Sequence, residues 1–120
     1  MRVLLVCYEK EPKVVSIPHE LSELQKLVGG MIEVVEPSDD SIALVCDENA
    51  RCSGKPINRV INDRVDICGD FFLCGYGETG LEDMPEEKIF KYASLLHLSN
   101  NDNDPHEPKV TKSWHQISHR

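Results

Sequence analysis

The stretch Ile17-Pro18-His19-Glu20-Leu21-Ser22-Glu23-Leu24-Gln25-Lys26-Leu27-Val28-Gly29-Gly30-Met31-Ile32-Glu33-Val34-Val35 decides the fold. It reads as one short amphipathic helix, stopped by glycine and fed directly into a strand. Pro18 has a helix-compatible φ and no N–H to leave unpaired, so it suits a first turn, where Glu20 also meets the positive helix end. Leu21, Leu24, Leu27 and Val28 recur at helical spacing and make one apolar stripe. Gly29 can adopt the left-handed conformation that closes a helix, and Gly30 permits a sharp reversal. Met31 to Val35 then turn to strand-forming residues.

Outward from this stretch, Val3 to Tyr8 reads as a first strand and Lys13 to Ile17 as its hairpin partner, across a charged turn from Glu9 to Pro12. Glu36 to Ser41 is loop-like in composition, and Ile42 to Cys46 is a short apolar strand expected to pair antiparallel with the preceding one. Asp47 to Pro56 is rich in turn formers. Ile57 to Ile61 fits either a short strand or an extended loop. Asp66 to Cys68 and Phe71 to Cys74 read as two arms of a closing β segment broken at Gly69, with Gly75 to Gly80 ending it. Asp83-Met84-Pro85-Glu86 resembles a capping box opening a second helix to about Leu98, with Ile89, Tyr92, Ala93 and Leu96 as its buried stripe. The expected fold is a single small α+β domain over residues 1–98. It has a mostly antiparallel sheet of about five strands and two helices, followed by a polar, flexible tail over 99–120.

With 120 residues and 40% hydrophobic content, the chain supports one modest core. No apolar run is long enough to span a membrane, and the brief apolar start, followed by acids, reads as a strand and not as a signal peptide. Five cysteines without an export signal point to reduced thiols and a cytoplasmic setting. The formal charge of -8 falls outside residues 99–120, where three acids balance three bases. Such a surface repels nucleic-acid phosphates and attracts basic partners, although it also serves solubility alone.

Four constellations could carry chemistry. Cys46-x5-Cys52 and Cys68-x5-Cys74 could together close a tetrahedral zinc site. Their spacing is wider than the roughly two to four residues of ordinary zinc knuckles, and three of the four lie in apolar runs, where cysteine packs as a small hydrophobe. Core packing is the favoured reading and no cofactor is expected. Gly75-Tyr76-Gly77-Glu78-Thr79-Gly80 matches the dinucleotide-binding glycine pattern, but it falls late in the chain and among acids, so a positive-φ loop is the better reading. His115 and His119 would lie one turn apart if the tail were helical, and with His106 or a cysteine pair could then ligate metal, although the polar tail reads as a mobile segment. Glu78, Glu82, Asp83, Glu86 and Glu87, with Asp63, Asp66 and Asp70 upstream, could imitate phosphates in a basic groove of a partner. The plainer explanation is an acid-enriched helix start. Lys55, Asn58 and Arg59 are the basic and amide residues near the middle of the sheet and would line any small-ligand pocket. Cys7 lies on the first strand with no base beside it in sequence. No nucleophile, base and orienting group occur together in a motif, so an enzyme is not expected.

The segment from Ile17-Pro18 through Val28-Gly29-Gly30 to Ile32-Glu33-Val34-Val35 resembles an uncharacterised domain family of phages, plasmids and integrated elements of Gram-positive bacteria. Leu44-Val45-Cys46-Asp47-Glu48, Pro56-Ile57-Asn58-Arg59 and Ile67-Cys68-Gly69-Asp70-Phe71-Phe72-Leu73 extend the resemblance over roughly residues 1–98. It implies a small non-enzymatic accessory protein of a mobile element, with no catalytic residues to carry over. Proteins of that habit include inhibitors of host defence, among them anti-CRISPR proteins. The expected role is therefore an acidic inhibitor in the bacterial cytoplasm, bound to a basic host protein such as a CRISPR effector nuclease, without direct nucleic-acid or membrane binding. A small-ligand or zinc-binding module and a regulatory protein of a mobile element are the alternatives.

Overall fold

The computed structural model describes residues 1–35, 41–61 and 65–98. In chain order it contains β1 (Arg2–Val6), β2 (Lys13–Ser16), α1 (Leu21–Val28), β3 (Ile32–Val35) and β4 (Ile42–Asp47), then β5 (Ile57–Ile61), β6 (Val65–Cys68), β7 (Phe71–Gly77), β8 (Gly80–Glu82) and α2 (Glu86–Leu95). The main sheet runs β2-β1-β7-β4-β3, with β8 paired to the far end of β7, and every pairing in it is antiparallel. β5 and β6 form a separate antiparallel hairpin.

The uninterrupted apolar runs in β1, β4 and β7 follow from burial on both faces. Val3, Leu5, Ala43, Val45, Phe72 and Cys74 pack with Leu24 and Val28 of α1. The alternate residues Leu4, Val6, Ile42, Leu44, Cys46, Phe71 and Leu73 pack with Tyr92 and Leu95 of α2, with Leu96, and with Ile67 of β6. The molecule thus has three layers: α1, the main sheet, and α2 with the β5–β6 hairpin. At about 25 cal/mol per Å² of apolar surface removed from water, these two faces supply most of the drive to fold.

Antiparallel pairing of β1 with β2 and of β3 with β4 agrees with the sequence reading. So does Gly29, whose φ of 79° closes α1 while its N–H donates to Gln25 O at 2.7 Å. Four expectations are corrected. The helix begins at Leu21, with Glu20 as its N-cap in extended conformation, so Pro18 and His19 precede the first turn and Leu21 is exposed. Asp66–Cys68 and Phe71–Cys74 are not two arms of one segment: β6 pairs with β5, and Gly69, at φ 75°, turns the chain into the main sheet. Gly75 to Gly80 does not end the sheet, because Gly77 pairs with Gly80 in a tight β7–β8 hairpin. Asp83 caps no helix: α2 has Pro85 at its N-cap without a side-chain cap bond, and it ends at Leu95, short of Leu98. The tail over 99–120, with His106, His115 and His119, lies outside the described residues, as do Asp63 and residues 36–40.

Candidate functional site

The loop between β4 and β5 delivers Lys55 to the C-terminal end of α1. Its ammonium donates to Val28 O at 3.0 Å, Gly29 O at 3.1 Å and the Asp47 carboxylate at 2.7 Å. Carbonyls left unpaired at a helix C-terminus carry partial negative charge, so a cation there is favourable twice over. Asp47 is buried and also accepts the Asn49 N–H at 2.9 Å. Burial alone would raise its pKa, but the Lys55 hydrogen bond and the Asn49 N–H outweigh that and hold it below the usual carboxylate range. Gly30 sits against this carboxylate; a Cβ there would lie 2.4 Å from Asp47 Oδ1.

Asn58 and Arg59, on β5, are both 0% exposed. Asn58 Nδ2 donates to Val6 O and Gly69 O, each at 2.9 Å, which ties β5 to the end of β1 and to the β6–β7 turn. Arg59 Nε donates to Leu96 O at 2.7 Å, Nη1 to Asn58 O at 3.0 Å and Asn58 Oδ1 at 2.7 Å, and Nη2 to Lys10 O at 2.9 Å. Leu96 is the C-cap of α2, whose last turn has no basic residue of its own. Arg59 therefore does for α2 what Lys55 does for α1. Burial lowers the Arg59 pKa, opposed by the Glu11 carboxylate, which itself accepts the Leu98 N–H at 3.2 and 3.3 Å. Asn58 and Arg59 thus give their side-chain donors to protein acceptors and hold the scaffold together.

The four cysteines considered for zinc are not brought together. Cys46 packs on the α2 side of the sheet, Cys74 on the α1 side, and Cys52 is exposed on the β4–β5 loop. Burial, followed by Glu33, Asp47 and Cys68, pushes the Cys46 thiol up to about 11; burial pushes Cys74 up to about 12. Both are thiols and packing groups at neutral pH. Among the described residues no group of three or more His, Cys, Asp or Glu could hold a metal ion. Cys7 is also shifted up, by burial and then by Asp70, which makes it a poor nucleophile.

The dinucleotide-like glycine pattern is the β7–β8 hairpin, with Glu78 and Thr79 at its tip and no helix following it directly. Of the acids, Glu78, Glu82, Asp83, Glu86 and Glu87 are all exposed. Asp83 is spent on the scaffold, accepting the Arg2 N–H at 2.9 Å, while the Arg2 guanidinium reaches Met84 O at 3.0 and 3.2 Å. That backbone bond, then the N-terminal ammonium, Arg2 and His19, keep its carboxyl below the usual range. The outer face of α2 carries Glu86, Glu87, Phe90 and Ser94, with His97 just past its end, all exposed, and Phe90 is 82% exposed. Sequence reasoning did not single out Phe90. Its signal was present, since it lies four residues from Glu86 and off the stripe of Ile89, Tyr92, Ala93 and Leu96.

A model for a domain of unknown function, DUF3846, matches residues 1–97. The chain belongs to the DUF3846 family. No curated protein and no solved structure matches it. In this DUF3846 domain the quoted motifs meet around one polar node. Gly29 and Gly30 come from the first, Asp47 from the second, Asn58 and Arg59 from the third, and Gly69 from the fourth. Beside the node lies an open cavity of about 300 Å³, lined by Tyr8, Lys26, Val28, Gly29, Lys55 and Asp70 among others. Lys55, the sequence-predicted ligand residue that does reach this cavity, already gives its ammonium to Asp47 and the α1 carbonyls. Among the described residues no helix is long and apolar enough to cross a membrane.

Proposed function

We propose that this DUF3846 domain is a non-enzymatic, acidic protein-binding module that occupies a basic surface of a nucleic-acid-handling protein. The observation that carries the reading is Phe90, 82% exposed on the outer face of α2 one turn from Glu86 and Glu87. A large aromatic left in water beside carboxylates fits a partner with an apolar pocket rimmed by lysine or arginine, the usual layout of an interface anchor. The formal charge of -8 adds long-range attraction to such a partner. The resemblance to proteins of phages and other mobile elements makes a host defence protein, such as a CRISPR effector nuclease, the first partner to test. The small-ligand alternative has less behind it, since the side chains offered for it are engaged by protein acceptors.

The test is direct binding by calorimetry to purified basic nucleic-acid enzymes, including CRISPR effector nucleases. The reading expects a complex that weakens as salt rises, because exposed charges are screened. Phe90→Ser should weaken it by about tenfold or more, as should the pair Glu86→Lys and Glu87→Lys, with folding unchanged. A complex indifferent to these substitutions, no complex with any such enzyme, or binding of the domain alone to duplex DNA overturns it.

A further inference from the structure

The sheet ends at β3, and among the described residues no strand lies beyond it. The register pairs Ile32 with Asp47, Glu33 with Cys46, Val34 with Val45 and Val35 with Leu44. One step before β3, the Glu48 N–H donates to Met31 O at 2.9 Å. Bonded and non-bonded pairs alternate in an antiparallel ladder, so Met31, Glu33 and Val35 direct their backbone groups at β4. The N–H and C=O of Ile32 and Val34 therefore point outward. Beside them Met31 is 55% and Val34 40% exposed, and Glu33 and Glu48 are exposed as well. The opposite edge, β2, carries Lys13, a usual guard against unwanted pairing; β3 has neither lysine nor proline.

We propose that the outer edge of β3 is a strand-addition site for an extended segment of a partner protein in which apolar residues alternate with lysine or arginine. The outward backbone groups of Ile32 and Val34 supply the ladder bonds, as in other cases where a peptide extends a sheet. Val34 projects on the α1 side of the sheet, where Val45 lies, and Glu33 projects on the α2 side, where Cys46 lies. A docked strand would thus set apolar side chains along one face and basic ones along the other. Charge selects this occupant over a second copy, because self-pairing sets Glu33 and Glu48 of one molecule near those of another in a chain already at -8. The proposal does not depend on the α2 surface.

Residue-resolved amide exchange by NMR on the full chain tests it. The probe is a blocked octapeptide of alternating valine and lysine, with a valine–glutamate octapeptide as control. In the free protein, Ile32 and Val34 should exchange about 100-fold faster than Glu33 and Val35, following the alternation of ladder bonds. The valine–lysine peptide should slow Ile32 and Val34 by about tenfold or more, and added salt should reverse the effect. Val34→Pro removes an outward N–H without touching the β3–β4 ladder and should abolish the slowing. Glu33→Lys should erase the preference for the lysine peptide. Four results overturn the proposal: Ile32 and Val34 protected in the free chain at all concentrations, protection that rises with protein concentration, equal response to the glutamate peptide, or peptide effects confined to other amides.

Discussion

Replacing Arg59 with alanine should destabilise the domain by about 3 kcal/mol. Three of its acceptor atoms, Leu96 O, Asn58 O and Asn58 Oδ1, are in buried bonds, and the fourth, Lys10 O, is partly buried. Orphaning each buried acceptor costs roughly 1 kcal/mol or more. Loss of the two packed methylenes beyond Cβ adds about 0.8 kcal/mol each. Against this stands the relief of no longer holding a guanidinium away from water, worth a few kcal/mol. The balance is a large fraction of the 5–15 kcal/mol typical of a folded domain, so roughly a third of its stability is at stake. Urea unfolding followed by far-ultraviolet circular dichroism is the assay. Arg59→Lys keeps the charge but not the planar fork and should fall between wild type and Arg59→Ala. A double-mutant cycle with Asn58→Ala should show coupling of about 1 kcal/mol or more, since the two side chains bond each other at 2.7 Å. If Arg59→Ala shifts stability by less than about 0.5 kcal/mol at an unchanged m-value, the assigned role of this residue is wrong.

Three further outcomes follow from the fold. Gly30→Ala should cost about 1–3 kcal/mol, because Asp47 is held by Lys55 and the Asn49 N–H and cannot swing away from the new methyl; a neutral result in urea titration would contradict the close approach. Asp47 has a folded pKa below its unfolded value, so its contribution is complete above about pH 4 and is lost as pH falls through the folded value. Unfolding midpoints measured from neutral pH downward should fall less steeply for Asp47→Asn, and an identical slope would refute the assignment. With a thiol-alkylating reagent at mildly alkaline pH, exposed Cys52 should react first, while Cys46 and Cys74 should react only on unfolding, as read by peptide mass spectrometry.

The layers of the fold were legible because hydrophobic pattern and glycine chemistry act locally. Met31 to Val35, Ile42 to Cys46 and Phe71 to Cys74 read as strands from their own side chains, and Gly29 as a helix stop from its freedom to take positive φ. The capping box at Asp83 failed because the backbone N–H of Arg2, distant in sequence, claimed that carboxylate. The cysteines needed a pairing register to be read: Cys74 lies opposite Ala43, and Cys46 is three residues on, an odd step that puts it on the other face. Lys55, Asn58 and Arg59 stood out in the sequence as polar residues near the sheet. Most of their acceptors are main-chain carbonyls, which leave no trace in side-chain identity. Phe90 was visible, but its exposure depends on which side α2 presents to the sheet.

Lys55 secures α1 and Arg59 secures α2, so five consecutive residues tie down the layers above and below the sheet. Loosening this clasp would therefore weaken the ties to both helices at once. The outward surfaces of α2 and β3 are not part of the clasp, so their contacts could be remodelled from one relative to the next on an unaltered frame.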